Sequence, residues 1–170
     1  MCALLVVATG LTYWNSFPGV FHYDDYPLML QNPYVTETFP FTAFLDHYGG
    51  RPLTLWTMRQ IYHFFGANAG CYHLLSVVLH ALSSTLLFTL TLRLFGSLEL
   101  SFMTALLFAL HPLQSQTVNY IWSQSVLLMS CFSLAAMILA SRCPWAGLLF
   151  FQLAVWSRAD ALAVTPFLIG

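Results

Sequence analysis

The sequence predicts an all-α polytopic transmembrane helical bundle of about five spans, with one long outer loop carrying short interfacial helices. Three observations lead there. Of 170 residues, 59% are hydrophobic and only 6% charged, against roughly 25% charged in soluble domains. Uncharged runs recur at lengths that suit a bilayer, where about 20 apolar residues cross ~30 Å as a helix. Charges and prolines collect in a single connection, residues 18–70. Five Arg, no Lys and six carboxylates give a net charge of −1. That excludes disorder, and it excludes nucleic acid as a partner, since no basic surface exists to hold it. Cys2, Cys71, Cys131 and Cys143 form no C-x-x-C pair and read as small hydrophobes.

The chain reads as one membrane domain, 1–170. The first candidate span covers 1–17; no basic residue precedes it, as a secretory signal would require, so a retained helix is expected. Between Arg59 and Arg93 lie 33 uncharged residues, which place a second span near 71–94. Another 42 run from Leu100 to Ser141, too many for one helix. His111-Pro112 and the polar stretch 114–124 divide them into spans near 101–121 and 125–141. A fifth apolar run, 144–169, is interrupted by Ser157-Arg158-Ala159-Asp160 and is either one broken span or two half-spans. With the N-terminus cytoplasmic, Arg93 and Arg142 fall in cytoplasmic turns and loop 18–70 lies on the outer or lumenal side, as the positive-inside rule favours.

Loop 18–70 holds Asp24, Asp25, Glu37, Asp46, Arg51 and Arg59, with five prolines that break it into short pieces. Residues 53–65 place Leu55, Met58, Tyr62 and Phe65 near one helical face and Arg59, Gln60 and His63 towards the other, the pattern of a helix lying on a membrane surface. The pair Asp24-Asp25 follows the first span closely. A carboxylate at a membrane edge is solvated, paired or used, so the pair is either a water-facing turn or a general base that takes a proton from an acceptor hydroxyl. His22 brings no second ligand set with it, and no metal site is expected. His73 and His80 share a helix face; interhelical hydrogen bonding is the common use of such residues, and axial ligation of haem or chlorophyll is the rarer one. Arg158 and Asp160 would face different ways on a regular helix. They are an end-of-helix charge pair, or Arg158 meets a lipid phosphate. No P-loop, G-x-G-x-x-G, G-x-S-x-G or H-E-x-x-H occurs.

Five segments appear in a recognisable order: NSFPGVFHYDDYPLMLQNPYV at 15–35, RPLT at 51–54, GANAGCYHLLSVVLH at 66–80, ALLFALHPLQSQTVNYI at 105–121 and WSRADALAVTPFL at 156–168. Together they resemble the amino-terminal membrane part of GT-C-type glycosyltransferases. Within that class they are most like the transmembrane-and-tetratricopeptide-repeat (TMTC) O-mannosyltransferases and their bacterial relatives. The resemblance implies a truncated GT-C-like scaffold that takes a sugar from a polyprenyl-phosphate donor to a protein hydroxyl, with no other cofactor. It implies a catalytic carboxylate in Asp24-Asp25, Asp24 as base and Asp25 holding substrate or the loop. Arg51, His111 and Arg158 become substrate- or carrier-binding candidates, and His73 and His80 structural polar residues. The chain departs from the pattern at Gln116, where an acidic residue is expected. It departs again at Ser123-Gln124-Ser125-Val126 in place of a G-R-A-D-like segment, and at Ser157-Arg158-Ala159 in place of a Ser-Lys-Glu-like one. These departures raise the alternative of a non-catalytic accessory subunit of a larger membrane complex. Expected partners are the lipid bilayer and other membrane protein chains.

Overall fold

The computed structural model describes residues 1–47 and 51–166, and every regular element among them is helical. The chain opens with α1 (Cys2–Thr12), then a 3₁₀ turn at Trp14–Ser16. The loop region contains a π-turn at Tyr26–Leu30 and three helices: α2 (Pro33–Thr36), α3 (Phe41–His47) and α4 (Pro52–Phe65). Next come α5 (Ala69–Phe95), α6 (Leu98–Leu110), α7 (Gln114–Asn119), a 3₁₀ turn at Ile121–Ser123, α8 (Gln124–Ala140) and α9 (Pro144–Ser157). A 3₁₀ segment at Ala159–Val164 follows.

Two helices are long and apolar enough to cross a membrane: α5, with 27 residues, and the 20-residue stretch Ile121–Ala140. Each boundary has a local cause. The Asn68 side chain caps α5 by accepting from Gly70 N at 3.1 Å, and Gly96 ends it in the left-handed conformation at φ 66°. Ser97 caps α6.

The third apolar run does not form a helix over 101–121. α6 stops at Leu110 because His111 precedes a proline and is extended (φ −65°, ψ 129°); the chain resumes as α7. The first run is α-helical for 11 residues rather than 17, ending before Asn15-Ser16 and Pro18. The fifth is helical for 14 residues, about 21 Å, and is broken by extended Arg158. Its last stretch, 167–169, lies outside the described residues.

Long-range contacts set the directions. Leu5 packs with Phe88 and Ala105. His80 Nε2 lies 3.1 Å from the Ala109 carbonyl, and Arg93 donates to the Ile138 carbonyl at 2.6 Å. α8 and α9 come closest where Gly147 faces Ala140: a Cβ on Gly147 would stand 2.8 Å from the Ala140 Cα. Helices that meet backbone to backbone need such small residues. α1, α6 and α9 therefore run one way, and α5 and α8 the other. One end of the bundle, the turn end, holds only the short connections at Gly96-Ser97 and Ser141–Cys143. The other, the loop end, gathers 13–47, 51–68, 111–124 and 157–166.

Between the ends, large apolar side chains face outward, among them Leu4, Val7 and Leu11 on α1, Leu74, Val78 and Leu82 on α5, and Trp145 and Leu149 on α9. The loop end has its own apolar core of Met29, Val35, Phe44, Leu55, Met58, Tyr72 and Ile121. Leu55 and Met58 are the inner face of α4, as their spacing predicts, whereas Phe65 is 60% exposed. Two bonds fasten α4: Thr54 Oγ1 donates to the Ser157 carbonyl (2.9 Å), and Arg59 Nε donates to the Glu37 carbonyl (2.9 Å).

Candidate functional site

The two adjacent aspartates have opposite environments. Residues 22–25 form a tight turn in which Asp25 N donates to the His22 carbonyl at 2.9 Å. The Asp25 carboxylate reaches back, Oδ2 accepting from His22 N at 2.9 Å, which is half of a capping box. Its other oxygen, Oδ1, accepts at 3.0 Å from the backbone N–H of Trp122, 97 residues further on. Asp25 is fully buried. Burial raises its carboxyl above the ordinary aspartate range, and the two N–H donors with the nearby His22 only partly offset this. Asp25 is thus a tie between the first loop and the start of α8.

Asp24, one residue earlier, is exposed and opens onto a cleft of about 720 Å³ lined also by His22, Tyr23, Gln116, Asn119 and Tyr120. Tyr23 adopts φ 40°. For a bulky side chain this is a strained conformation costing of order 1–3 kcal/mol, which persists only where the surroundings impose it; here the Asp25 tie does so. Opposite, α7 places Gln116 and Asn119 on one face at i and i+3, and Tyr120 follows as its extended C-cap. The Asn119 Oδ1 is buried with no hydrogen-bond partner. Burial raises the Tyr120 phenol above its usual 10.0, and the Asp24 carboxylate raises it further.

A second polar group consists of Arg51, Arg158 and Asp160. The Arg51 guanidinium sits over the Trp122 ring, 5.5 Å from its centroid, in the range of a cation–π contact. Burial lowers the Arg51 pKa, the charge of Arg158 lowers it further, and Asp160 acts in the opposite direction. Arg158 and Asp160 form an ion pair through Nε and Oδ2. They face each other, contrary to the expectation for a regular helix, because α9 has ended and Arg158 is extended (φ −165°, ψ 131°). Two guanidiniums beside one carboxylate leave capacity for an anion.

The remaining predicted residues lie elsewhere. His111 is exposed at the end of α6, where its Nδ1 accepts from Leu113 N at 3.2 Å. It lines a separate apolar cavity of about 210 Å³ rather than the Asp24 cleft. His80 is buried, bonded across to α6, with Tyr13 edge-on at 5.4 Å. His73 is 2% exposed, with neither ring nitrogen hydrogen-bonded. It presses on Gly19, where an added Cβ would lie 2.6 Å from Nε2, so that position tolerates only glycine. Gln124 is fully buried and donates to the Tyr72 carbonyl at 2.7 Å, which makes it a link between α8 and α5.

Sequence reasoning missed Trp122, Asn119 and Tyr120, and it marked Gln116 only as a neutral residue where an acidic one is expected. The i, i+3 spacing of Gln116 and Asn119 was the signal that marks the helical part of the cleft wall.

Comparison with known proteins adds the following. The mouse protein O-mannosyl-transferase TMTC3 is 34% identical over 148 residues, covering 79% of this chain and 16% of the relative. Its human counterpart is 32% identical over 152 residues, covering 82% and 16%. Human protein O-mannosyl-transferase TMTC1 is 30% identical over 155 residues, covering 82% and 18%. No family model and no solved structure matches the chain. The chain spans about a sixth of the length of the curated relatives it matches. Across most of its own length it is close in sequence to the TMTC protein O-mannosyl-transferases, as the five motifs indicate.

Proposed function

We propose that this chain forms the catalytic face of a membrane glycosyltransferase that moves a sugar from a polyprenyl-phosphate carrier to a protein hydroxyl. The observation that carries the reading is the division between the two aspartates: Asp25 is buried and tied, and Asp24 is exposed in an open cleft. The names of the relatives point to mannose as the sugar. In this reading all five longer apolar helices cross or enter the bilayer, and the loop end faces the outer or lumenal side. The outward apolar side chains of α1, α5 and α9 support a lipid surroundings.

The chemistry follows from the groups present. Asp24 accepts the proton of a serine or threonine hydroxyl as its oxygen attacks the anomeric carbon. The bond from that carbon to the carrier phosphate breaks, and the phosphate oxygen keeps the electron pair. Arg51 and Arg158 stabilise the phosphate charge that develops, Arg51 held in place by Trp122. Asp25 and Trp122 keep the base on the cleft side of the turn, so that positioning is set before substrate arrives. His111 stands apart and takes no step.

The test is transfer of radiolabelled mannose from mannosyl-phosphopolyprenol to a serine/threonine peptide by the full chain in liposomes. Asp24→Asn is expected to lower transfer at least about 100-fold, the scale of a lost general base, with the amount inserted unchanged. Retained transfer removes Asp24 from the mechanism.

A second reading, the non-catalytic subunit, is favoured by one observation: the cleft wall opposite Asp24 is neutral, formed by Gln116, Asn119 and Tyr120. It predicts that gentle extraction yields the chain in fixed ratio with a larger assembly, and that Asp24→Asn leaves that assembly intact and equally active.

A further inference from the structure

A smaller polar cavity at the loop end takes no part in the transfer chemistry. Arg59, Tyr62 and His63 stand at i, i+3 and i+4 along α4 and so share one face of it. Opposite runs the segment that leaves α2, where Thr36 ends the helix and Glu37 is extended (φ −107°, ψ 174°). With Thr38 these residues line a cavity of about 160 Å³, about five times the ~30 Å³ that one water occupies in the liquid. Its walls are fixed to each other: Arg59 Nε donates to the Glu37 carbonyl at 2.9 Å, and Val35 beside them is buried in the loop-end core. That bond uses one of the five guanidinium N–H groups. Among the described residues no carboxylate pairs with Arg59, which is half-buried, and no cation pairs with the exposed Glu37. A cation and a carboxylate therefore border one small cavity without neutralising each other.

The cavity also stands beside a membrane entry point. α4 ends at Gly66 (φ 61°), and α5, the longest candidate span, begins at Ala69. Phe64 and Phe65, between the cavity and that span, are 71% and 60% exposed. The His63 ring meets Phe64 edge-on at 5.4 Å. Exposed aromatic rings joined to polar groups at the mouth of a span suit the headgroup level of a bilayer.

We propose that this cavity binds the headgroup of a zwitterionic phospholipid, its phosphate on Arg59 and its ammonium on Glu37, with Phe64 and Phe65 in the lipid alongside. The inference rests on the part of the reading above that sets the loop end at a membrane surface, and not on sugar transfer. The guanidinium fork matches two phosphate oxygens. A phosphate alone would meet the Glu37 carboxylate as a like charge, and an ammonium alone would meet Arg59 in the same way. A headgroup that carries both charges satisfies both walls.

Native mass spectrometry of the full chain in detergent tests this, with phosphatidylethanolamine, phosphatidylcholine or phosphatidylglycerol added. Phosphatidylethanolamine is expected to bind about 10-fold more tightly than phosphatidylcholine, whose quaternary ammonium has no N–H to give Glu37. Glu37→Gln leaves in place the backbone carbonyl that holds Arg59, so it is the deciding variant. It should cost phosphatidylethanolamine about 10-fold, the scale of one charge-assisted hydrogen bond, while phosphatidylglycerol binds as before or more tightly. Arg59→Gln should weaken both lipids, and transfer should stay at the parent level in Glu37→Gln. Phosphatidylethanolamine binding unchanged in Glu37→Gln overturns the site. Free phosphoethanolamine bound as tightly as the lipid overturns the membrane as the source of the headgroup. Flotation with liposomes separates the two readings. A chain that floats but binds all three lipids alike sinks the cavity alone, and a chain that fails to float sinks the membrane placement beneath it.

Discussion

The two ends of the bundle are built by different rules. At the turn end, neighbours in sequence do the work: Gly96 at φ 66° and the Ser97 cap reverse α5 into α6 within two residues, and Ser141–Cys143 reverse α8 into α9. Arg93 adds one cross-link, donating to the last-turn carbonyl of Ile138. At the loop end, the bonds join residues far apart: Asp25 to Trp122, Thr54 to Ser157, Gln124 to Tyr72. The turn end serves only to bring helices together. The loop end uses buried polar groups to tie the first loop to the turn before α8, α4 to the end of α9, and α8 to α5. Damage at the first is expected to cost stability alone, and damage at the second to cost activity as well.

Asp25→Ala should have the largest effect and is the sharpest test of that division. It leaves the N–H groups of His22 and Trp122 unpaired, at about 1–3 kcal/mol for each that stays buried, and it frees the strained turn that presents Asp24. Thermal unfolding in detergent should drop by the corresponding several degrees, and transfer per folded molecule should fall nearly as far as in Asp24→Asn. A stable, inactive protein would still place the tie in function; an unstable but fully active one breaks the comparison.

At the other end, Gly147→Leu forces apart α8 and α9, where even a Cβ would meet the Ala140 backbone at 2.8 Å. Overpacking of this kind costs about 1–3 kcal/mol. Unfolding should shift while transfer per folded molecule stays at the parent level; reduced specific activity would show the helix seam reaching the site. A milder version is Gly96→Ala, about 1 kcal/mol for a Cβ in the left-handed region, again visible in unfolding and silent in transfer.

The smallest expected effect is a pH dependence confined to the loop end. Asp25 binds its proton more tightly folded than unfolded, since burial raises it above 3.8. The unfolded chain therefore releases that proton first. Asp25 contributes stability at low pH that is lost as pH rises through its raised folded value. The unfolding midpoint measured from pH 4 upward should show this loss, and Asp25→Asn should flatten it. An equal slope in both proteins would mean that another group carries it.

How much of this was legible in the sequence follows the same division. The helices, and the breaks at Pro112 and Arg158, could be anticipated from charge gaps and prolines, because those causes are local. The inner face of α4 was legible from spacing. The third span was nevertheless expected to run on to 121, past His111-Pro112, although that proline and the polar stretch after it are what end α6 at Leu110. Asp24-Asp25 stood out as a pair, but their division did not, since it depends on Trp122. The wall of Gln116, Asn119 and Tyr120 becomes a wall only when α7 folds across the first loop, and no single stretch of sequence contains that fact.

The bond between Asp25 and Trp122 also has a consequence for how the protein is made. A ribosome adding 5–20 residues each second needs about 5–20 s to travel the 97 residues between them. Throughout that interval the first loop has already emerged, with its carboxylate hydrated and its turn unset. Only the 3₁₀ turn that leads into α8 supplies the missing N–H. The tie thus closes only after α1, α5 and α6 have been made, and a chain interrupted before Trp122 carries both aspartates without the arrangement that tells them apart.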